Sequence, residues 1–253
     1  MIRVIKIGGA IVDDEAVLVS TLTALAPFAP FILIHGGGRV ATDLARQLGI
    51  QQTMVNGRRV TDADTLKVVV QTYAGLINKT IVAHLQALGV NTIGLTGADL
   101  DVVRAHRRAV GEVDYGFVGD VDDVRRDVLQ QFLSNGQSIV LAPITHDGAG
   151  TLLNTNADTL ASAVASALGK DAELVFLFEH AGVLRDVRDT TSTIPSLSRY
   201  QASRLIADGI LTDGMLPKLE AAFAAAEAGV TQVRITRYVT PDAGTQILGE
   251  QTL

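Results

Sequence analysis

Two short apolar segments, each ending in a glycine-rich turn, constrain the fold of this chain most. Val-Ile-Lys-Ile-Gly-Gly lies at residues 4–9, and Phe-Ile-Leu-Ile-His-Gly-Gly-Gly lies at residues 31–38. A strand that turns through glycine into a helix is typical of α/β proteins, and glycine also lets backbone N–H groups approach an anion. Each turn alone is equally well explained as an ordinary connection from strand to helix.

Similar apolar runs recur along the chain and alternate with helical patterns. The predicted strands are residues 2–7, 30–35, 92–95, 138–142, 174–178 and 232–235, and the predicted helices are residues 15–27, 39–49, 62–89, 123–134, 156–168, 199–208 and 214–228. This alternation predicts an α/β fold with a mainly parallel sheet and crossover helices. Residues 102–121 alternate around a polar turn instead, which predicts a β-hairpin over the sheet edge or the site. A change in composition near residue 170 divides the chain into two predicted lobes, residues 1–169 and 170–253.

The composition argues against several classes of function. A net charge of −6 and the absence of tryptophan disfavour binding to nucleic acid or to an anionic membrane. The chain has no cysteine, which excludes disulfides, thiolate metal sites and cysteine nucleophiles. The five histidines show no metal-ligand spacing, so we expect no metal held by the protein itself. The sequence shows neither a signal-peptide pattern nor a long apolar run, and we expect a cytoplasmic protein that acts on a small molecule.

Three charged residues suit phosphoryl transfer, although the P-loop and G-x-G-x-x-G nucleotide motifs are missing. Lys6 precedes the first glycine turn, and Asp158 and Lys218 lie much later in the chain, near the starts of two predicted helices. Two cations and glycine N–H groups can stabilise the charge that develops on a moving phosphoryl group. Taken singly, Lys218 is also explained as a solvated lysine on an exposed helix face. Asp158 is also explained as an acidic residue in the first turn of a helix capped by Asn156.

Three further polar residues each have an ordinary structural explanation. Arg59 is explained as a surface arginine ahead of a long helix. Asn154 is explained as an ordinary turn residue. For His35 we prefer a histidine at the edge of the core, satisfied by the backbone.

In order along the chain, five segments resemble the amino-acid kinase family, and most closely its N-acetylglutamate kinases of the short bacterial type. The segments are Lys-Ile-Gly-Gly at 6–9, His-Gly-Gly-Gly at 35–38, Asn-Gly-Arg-Arg-Val-Thr at 56–61, Asn-Thr-Asn-Ala-Asp at 154–158 and Thr-Asp-Gly-Met-Leu-Pro-Lys at 212–218. The resemblance covers nearly the whole chain. It implies a three-layer α/β/α sandwich, with an N-terminal lobe that binds the acyl-amino acid and dimerises, and a C-terminal lobe that binds ATP.

The resemblance also implies a reaction and the residues that carry it. The γ-carboxylate of N-acetylglutamate attacks the γ-phosphoryl group of ATP, giving N-acetylglutamyl 5-phosphate in arginine biosynthesis. The implied roles are transition-state stabilisation by Lys6 and Lys218, orientation of both lysines by Asp158, backbone hydrogen bonds from Gly8, Gly9, Gly36 and Gly37, and substrate binding by Gly36, Gly37, Arg59 and Asn154. The implied nucleotide-binding residues are Glu179, Gly182, Val183, Leu184, Ile210, Leu211 and Thr212. Mg²⁺ would be held by the ATP phosphates and water.

The chain departs from the family pattern in places that concern nucleotide, substrate and assembly. Phe-Glu-His at residues 178–180 stands where the family more often has Ser/Thr-Asp-Val. Residues 95–101 and 115–119 also differ from the commonest sequence of the family, and they lie near the expected position of the acyl group. A substrate with a larger acyl group, such as succinyl, is therefore a second hypothesis. A second carboxylate would need a cation, and the candidates are Arg58, Arg104 and Arg107. Because the chain starts at its first strand, we expect an arginine-insensitive homodimer.

Two other functions stay open within this fold. A kinase for carrier-bound α-aminoadipate or glutamate would need basic surface for an acidic carrier, which the net charge of −6 disfavours. A non-catalytic ligand sensor would have little reason to keep Lys6, Asp158 and Lys218 together.

Overall fold

The computed structural model describes residues 1–55, 57–211, 215–240 and 243–249. The strands are β1 Ile2–Ile7, β2 Phe31–His35, β3 Thr53–Val55, β4 Arg58–Val60, β5 Thr92–Leu95, β6 Val103–Arg107, β7 Gly119–Val124, β8 Ser138–Leu141, β9 Ile144–His146, β10 Leu152–Asn154, β11 Ala172–Leu177, β12 Ser196–Ser198, β13 Gln232–Thr236 and β14 Thr245–Leu248. The helices are α1 Gly9–Val12, α2 Glu15–Leu25, α3 Gly38–Gln47, α4 Ala63–Val69, α5 Asn78–Ala87, α6 Arg126–Ser134, α7 Ala157–Leu168, α8 Arg199–Ala207 and α9 Leu216–Glu227. Each predicted strand corresponds to one of these strands, with the predicted ends for residues 2–7 and 92–95 and shifted ends for the others. Each predicted helix corresponds to one of these helices with shifted ends, except the helix predicted over residues 62–89, which includes both α4 and α5.

Eight strands form one central sheet, in the order β12-β14-β13-β11-β1-β2-β8-β5. Only β13 and β14 pair antiparallel within it, so the sheet is mainly parallel, as predicted. β1 lies between β11 and β2 and is parallel to both. Since parallel strands end at the same edge, the two glycine turns become neighbours, and Gly36 N–H donates a hydrogen bond to the Ile7 carbonyl oxygen (3.2 Å).

Helices cover both faces of this sheet, because its strands are apolar on both sides. Val4 of β1 packs in a core with α6, α7, α8 and α9, whereas its neighbour Ile5 packs in a second core with α2, α3, α4 and α5. The same alternation occurs in β2, where Ile32 and Leu33 contribute to different cores. The period of two along a strand therefore produces three layers, confirming the predicted α/β/α sandwich.

The predicted hairpin is present as β6 and β7, in a separate four-stranded sheet of order β10-β9-β6-β7. Its second strand begins at Gly119 rather than near Tyr115, so that part of the prediction is wrong. Tyr115 and Phe117 hydrogen-bond instead with the backbone of Thr61, at 2.9 and 2.7 Å. The helix predicted from residue 123 begins at Arg126, because residues through Val124 belong to β7.

The long helix predicted over residues 62–89 runs through α4, a π-helical segment at Val70–Ile77, and α5. Asp62 caps its start by accepting a hydrogen bond from Thr65 N–H (2.7 Å). The π-helical segment, which the sequence pattern did not indicate, places Tyr73 and Ile77 against Gly37: a Cβ at Gly37 would lie 2.2 Å from Ile77 Cδ1. Within the described ranges, no helix combines the length and apolarity needed to cross a bilayer.

Candidate active site

A cavity of about 210 Å³ opens at the edge where β1 and β2 end. Its walls are the two glycine turns, the β3–β4 hairpin, the π-helical residue Tyr73, Val118, Pro143 and residues 154–158. Side chains from distant parts of the chain meet here because parallel strands end at one edge. The cavity has room for a small molecule, since its volume equals that of roughly seven waters in the liquid.

Lys6, Asp158 and Lys218 form one charged cluster, of which Lys6 and Asp158 line the cavity. Lys6 lies two residues after Val4 on β1 and therefore faces the same layer, which contains α7 and α9. Asp158 lies in the first turn of α7, which Asn156 caps by accepting hydrogen bonds from Asp158 N–H and Thr159 N–H. Lys6 Nζ lies 2.8 Å from Asp158 Oδ1, and Lys218 Nζ lies 3.4 Å from the same oxygen.

Burial sets the electrostatics of this cluster. Lys6 is 6% exposed and Lys218 is 9% exposed, so the interpretation of Lys218 as a solvated surface lysine is wrong. Burial and the charge of Lys6 hold the pKa of Lys218 below its usual value, with Asp158 opposing the shift. Burial alone would raise the pKa of Asp158, but the two lysines outweigh it and hold that pKa below its usual value. The cluster therefore keeps one carboxylate ionised between two cations.

Phe178, one of the residues that depart from the family pattern, also contacts this cluster. Its ring centroid lies 5.7 Å from Lys218 Nζ, and the ring of Phe176 lies at 5.9 Å. Two aromatic faces thus stabilise the ammonium group of Lys218 in addition to Asp158. Sequence reasoning did not assign this contact, because only the fold brings the end of β11 beside the first turn of α9.

The glycine turns differ in which backbone N–H groups are already engaged. Gly8 N–H donates to the Leu177 carbonyl oxygen (3.1 Å), and Gly36 N–H donates to Ile7. Gly9 is the first residue of α1, and Gly37 is the N-cap residue of α3. N–H groups at such positions have no carbonyl partner inside their helix. The hydrogen bonds of Gly8 and Gly36 thus hold the turns together. Gly9 and Gly37 line the cavity with N–H groups that have no partner inside their helices.

Arg59 is buried, at 7% exposure, so the surface interpretation of this residue is wrong. Its guanidinium donates to the Gly38 carbonyl oxygen (2.8 Å), to Thr42 Oγ1 (2.9 Å) and to Gln52 Oε1. Within the described ranges, no carboxylate lies within ion-pair distance of it. The β3–β4 hairpin thus holds a cation against the start of α3, ready for an anion in the cavity.

Asn154, at the end of β10, is tied to the loop that precedes β7. Its side-chain amide donates to Thr61 Oγ1 (3.0 Å), and its backbone N–H donates to the Phe117 carbonyl oxygen (2.8 Å). Thr61 is fully buried and joins the β3–β4 hairpin to residues 115–118. These bonds fix the cavity wall that carries Asn154 and Val118.

His35 is fully buried and does not line the cavity. Its Nδ1 lies 2.8 Å from the Gly36 carbonyl oxygen, which supports the interpretation as a core-edge histidine satisfied by the backbone. The other ring nitrogen, Nε2, is buried without a hydrogen-bond partner in the described structure. Burial lowers the pKa of His35 to about 4, so the ring stays neutral near pH 7.

Of the residues expected to bind nucleotide, those at 179–184 follow the carboxyl end of β11, at the same sheet edge as the end of β1. Glu179 is exposed, while Gly182, Val183 and Leu184 are buried. Val183 packs in the core on the α7–α9 face, and its N–H donates to Thr245 Oγ1 (2.8 Å). Ile210 is exposed and Leu211 is buried, whereas Thr212 lies outside the described residues. None of the described members lines the cavity that holds Lys6.

Sequence reasoning assigned no site role to Tyr73, Thr42 or Gln52. Tyr73 lines the cavity, and burial raises the pKa of its hydroxyl, which therefore stays protonated at neutral pH. Thr42 and Gln52 both accept from Arg59. For Tyr73 the only available signal was its place on the long helix, which does not say which face meets the cavity.

Comparison with known proteins agrees with this architecture. The amino acid kinase family model matches residues 1–237. A protein of Bacteroides thetaiotaomicron named acetylglutamate kinase is 52% identical over 251 residues, covering 97% of this chain and 98% of the relative. A protein of Methanopyrus kandleri with the same name is 40% identical and covers 92% of this chain and 94% of the relative.

A solved structure shows the same fold. The smu.665 protein of Streptococcus mutans UA159 superposes with a TM-score of 0.83 at 31% identity, covering 98% of this chain and 99% of that protein. The family model and these relatives together confirm the predicted membership, and this chain belongs to the amino acid kinase family.

Proposed function

We propose that this protein transfers the γ-phosphoryl group of ATP to the side-chain carboxylate of an N-acylglutamate, with N-acetylglutamate as the reference substrate, in arginine biosynthesis. One observation carries the proposal: Lys6 and Lys218 converge on Asp158 at a cavity between two glycine turns. The relatives named acetylglutamate kinase support the same activity.

In this proposal the two lysines act on the phosphoryl group. A γ-carboxylate oxygen of the substrate forms a bond to phosphorus while the bond from phosphorus to the bridging oxygen of ADP breaks. Lys6 and Lys218 stabilise the negative charge that develops on the phosphoryl oxygens, and Asp158 holds both ammonium groups in place. A glutamate side chain is already ionised at neutral pH, so the attacking group needs no general base.

The substrate is bound in this proposal by other residues that line the cavity. Arg59 pairs with the α-carboxylate, because it is a buried cation with only neutral partners in the described structure. Asn154, fixed by Thr61, serves the amide of the acyl group or the same carboxylate. Gly9 and Gly37 contribute the N–H groups that the turns leave open, while Gly8 and Gly36 support the backbone around them.

ATP is proposed to bind beyond the end of β11, in the lobe formed by residues 170–253, with the acyl-amino acid in residues 1–169. β11 pairs directly with β1, so one continuous sheet would carry both lobes. Glu179, Gly182, Val183, Leu184, Ile210, Leu211 and Thr212 stay predictions as nucleotide contacts. Mg²⁺ is proposed to arrive with the phosphates, and among the described residues there is no group of three His, Asp or Glu side chains placed to hold it.

Assembly and location stay predictions of the same proposal. A homodimer through the long helix would cover Leu76, which is 61% exposed on the π-helical segment. Sedimentation of the purified protein tests this, and a monomeric mass would contradict it. A cytoplasmic location is expected because the reaction consumes ATP.

The proposed reaction is tested by trapping the acyl phosphate with hydroxylamine. ATP is supplied with N-acetylglutamate, N-succinylglutamate, glutamate or α-aminoadipate in parallel. We expect turnover of an N-acylglutamate and a loss of about 10²- to 10³-fold in kcat in Lys218→Met, with substrate binding retained in calorimetry. Lys67→Met is the matched control, since Lys67 pairs with Asp64 on the surface.

No acyl phosphate with any of the four substrates would contradict the proposal. If the inactive protein still bound ATP, a kinase for a carrier-bound amino acid would be favoured. If it still bound its ligand after substitution of both Lys6 and Lys218, a non-catalytic ligand sensor would be favoured.

A further inference from the structure

Arg58 is a cation of the cavity that the proposed reaction does not use. It lines the cavity together with Lys6, Arg59 and Asp158. Lys6 is paired with Asp158, and Arg59 is held by three neutral acceptors. In the described parts of the chain, Arg58 makes neither a side-chain hydrogen bond nor an ion pair. A half-buried guanidinium at the wall of a small cavity therefore has open donors.

The charge of Arg58 acts on Asp120, but another arginine binds that carboxylate. The pKa of Asp120 is held below its usual value mainly by hydrogen bonds from Arg108, and the charge of Arg58 contributes only a minor part. Arg108 holds both carboxylate oxygens of Asp120, through Nε at 3.0 Å and through Nη2. Asp120 is thus already neutralised, and Arg58 remains available to a ligand.

The other arginines near the acyl end are engaged elsewhere. Arg104 is paired with Asp101, and Arg107 donates to the Gly116 carbonyl oxygen (2.7 Å). Neither lines the cavity. Of the three cations considered from sequence for a second acyl carboxylate, Arg58 alone is placed to meet one.

The charges of cavity and substrate can now be compared. N-acetylglutamate brings two carboxylates, of which the proposed function assigns one to Arg59 and the other to the lysine cluster. The methyl group of an acetyl has no charge and accepts no hydrogen bond from a guanidinium. A succinyl group replaces one methyl hydrogen by CH₂COO⁻ and so supplies a third carboxylate, which Arg58 can bind with paired donors.

We propose that Arg58 is a specificity-determining residue that selects an N-acylglutamate whose acyl group ends in its own carboxylate, as in N-succinylglutamate. The inference rests on the proposed function, because it takes the two glutamate carboxylates to be placed as described there. Selection arises because the third carboxylate forms an ion pair with Arg58, whereas an acetyl group leaves the guanidinium of Arg58 bonded only to water.

The test compares kcat/KM for N-acetylglutamate, N-succinylglutamate and the neutral succinamoyl analogue, which has the size of succinyl without its charge. We expect the wild type to prefer succinyl over both others by about 10- to 100-fold, the range of a charged hydrogen bond. Arg58→Leu should abolish that preference ratio, and Arg58→Lys should keep part of it. The control Arg46→Leu should keep the whole ratio, since Arg46 pairs with Asp43 on the surface.

Calorimetry with N-succinylglutamate separates this inference from the proposed reaction. Binding that weakens about 10- to 100-fold in Arg58→Leu supports the inference even if no acyl phosphate forms, in which case only the proposed reaction fails. Equal use or tighter binding of N-acetylglutamate by the wild type would overturn the inference. So would an equal loss for all three ligands in Arg58→Leu, or an effect confined to the KM for ATP.

Discussion

Lys6 and Lys218, near opposite ends of the chain, hold the same carboxylate oxygen, Oδ1 of Asp158, at 2.8 and 3.4 Å. Two buried ammonium groups so close together repel each other, and Asp158 compensates that repulsion. In the proposed reaction, a phosphoryl group beside Lys6 and Asp158 at the cavity wall would interact with both lysines.

Asp158→Asn should remove this compensation while preserving the shape of the side chain. We expect kcat to fall by about 10²- to 10³-fold, because the two lysines lose their common orienting partner. The pKa of Lys218, already below its usual value, should fall further, so activity should be lost at lower pH on the alkaline side. The pH profile of kcat checks this. An alkaline limit identical to that of the wild type would contradict it, and Asp64→Asn, at an exposed surface pair, is the control.

Arg59→Lys should raise the KM for the N-acylglutamate more than it lowers kcat. A lysine keeps the charge but loses the planar donors that hold Gly38, Thr42 and a bidentate carboxylate. Loss of one charged hydrogen bond corresponds to a rise in KM of about 10- to 100-fold. Steady-state kinetics with Arg46→Lys beside it measures the effect, and an unchanged KM would show that Arg59 does not bind the substrate.

Gly116→Ala should disturb the cavity wall from a distance. Gly116 has φ of +70°, and a Cβ there would lie 2.2 Å from the Thr61 carbonyl oxygen, so backbone must move. Thr61 accepts from the amide of Asn154, and we therefore expect a higher KM for the acyl substrate and a lower melting temperature. Gly111→Ala is the matched control, because nothing lies within 4 Å of its added Cβ. Equal kinetics for the two variants would contradict the coupling.

His35 should make the protein less stable as the pH falls. Its pKa is about 4 in the folded protein and 6.5 when unperturbed, so between these values the unfolded chain binds a proton that the folded chain does not. The contribution is a loss of about 1.4 kcal/mol in the free energy of unfolding at pH 5.5 relative to pH 7.5. Urea unfolding of wild type and His35→Gln at both pH values isolates it, because other titrating groups affect both proteins. The same pH dependence in the two would contradict the assignment.

Much of the fold was predictable, since the apolar runs are short, bounded by glycine and separated by helical patterns. The start of β7 was not, because alternation in residues 115–118 reflects backbone pairing with Thr61 rather than membership of the hairpin. The π-helical segment was equally hidden, since no local residue pattern distinguishes it from the helix on either side.

For the candidate site, residue types near glycine turns nominated Lys6, Asp158 and Lys218, and the resemblance to the family added Arg59. Which oxygen the lysines share was decided only by the packing of α7 against β1 and of α9 against α7, since ion-pair distances depend on contacts between segments far apart in sequence. Tertiary structure also decided between Arg58, Arg104 and Arg107, because the sequence alone does not show which of these arginines faces a ligand. Tertiary structure pairs two of them elsewhere and leaves Arg58 at the cavity, because contacts between segments far apart in sequence decide which cations already have a partner inside the protein.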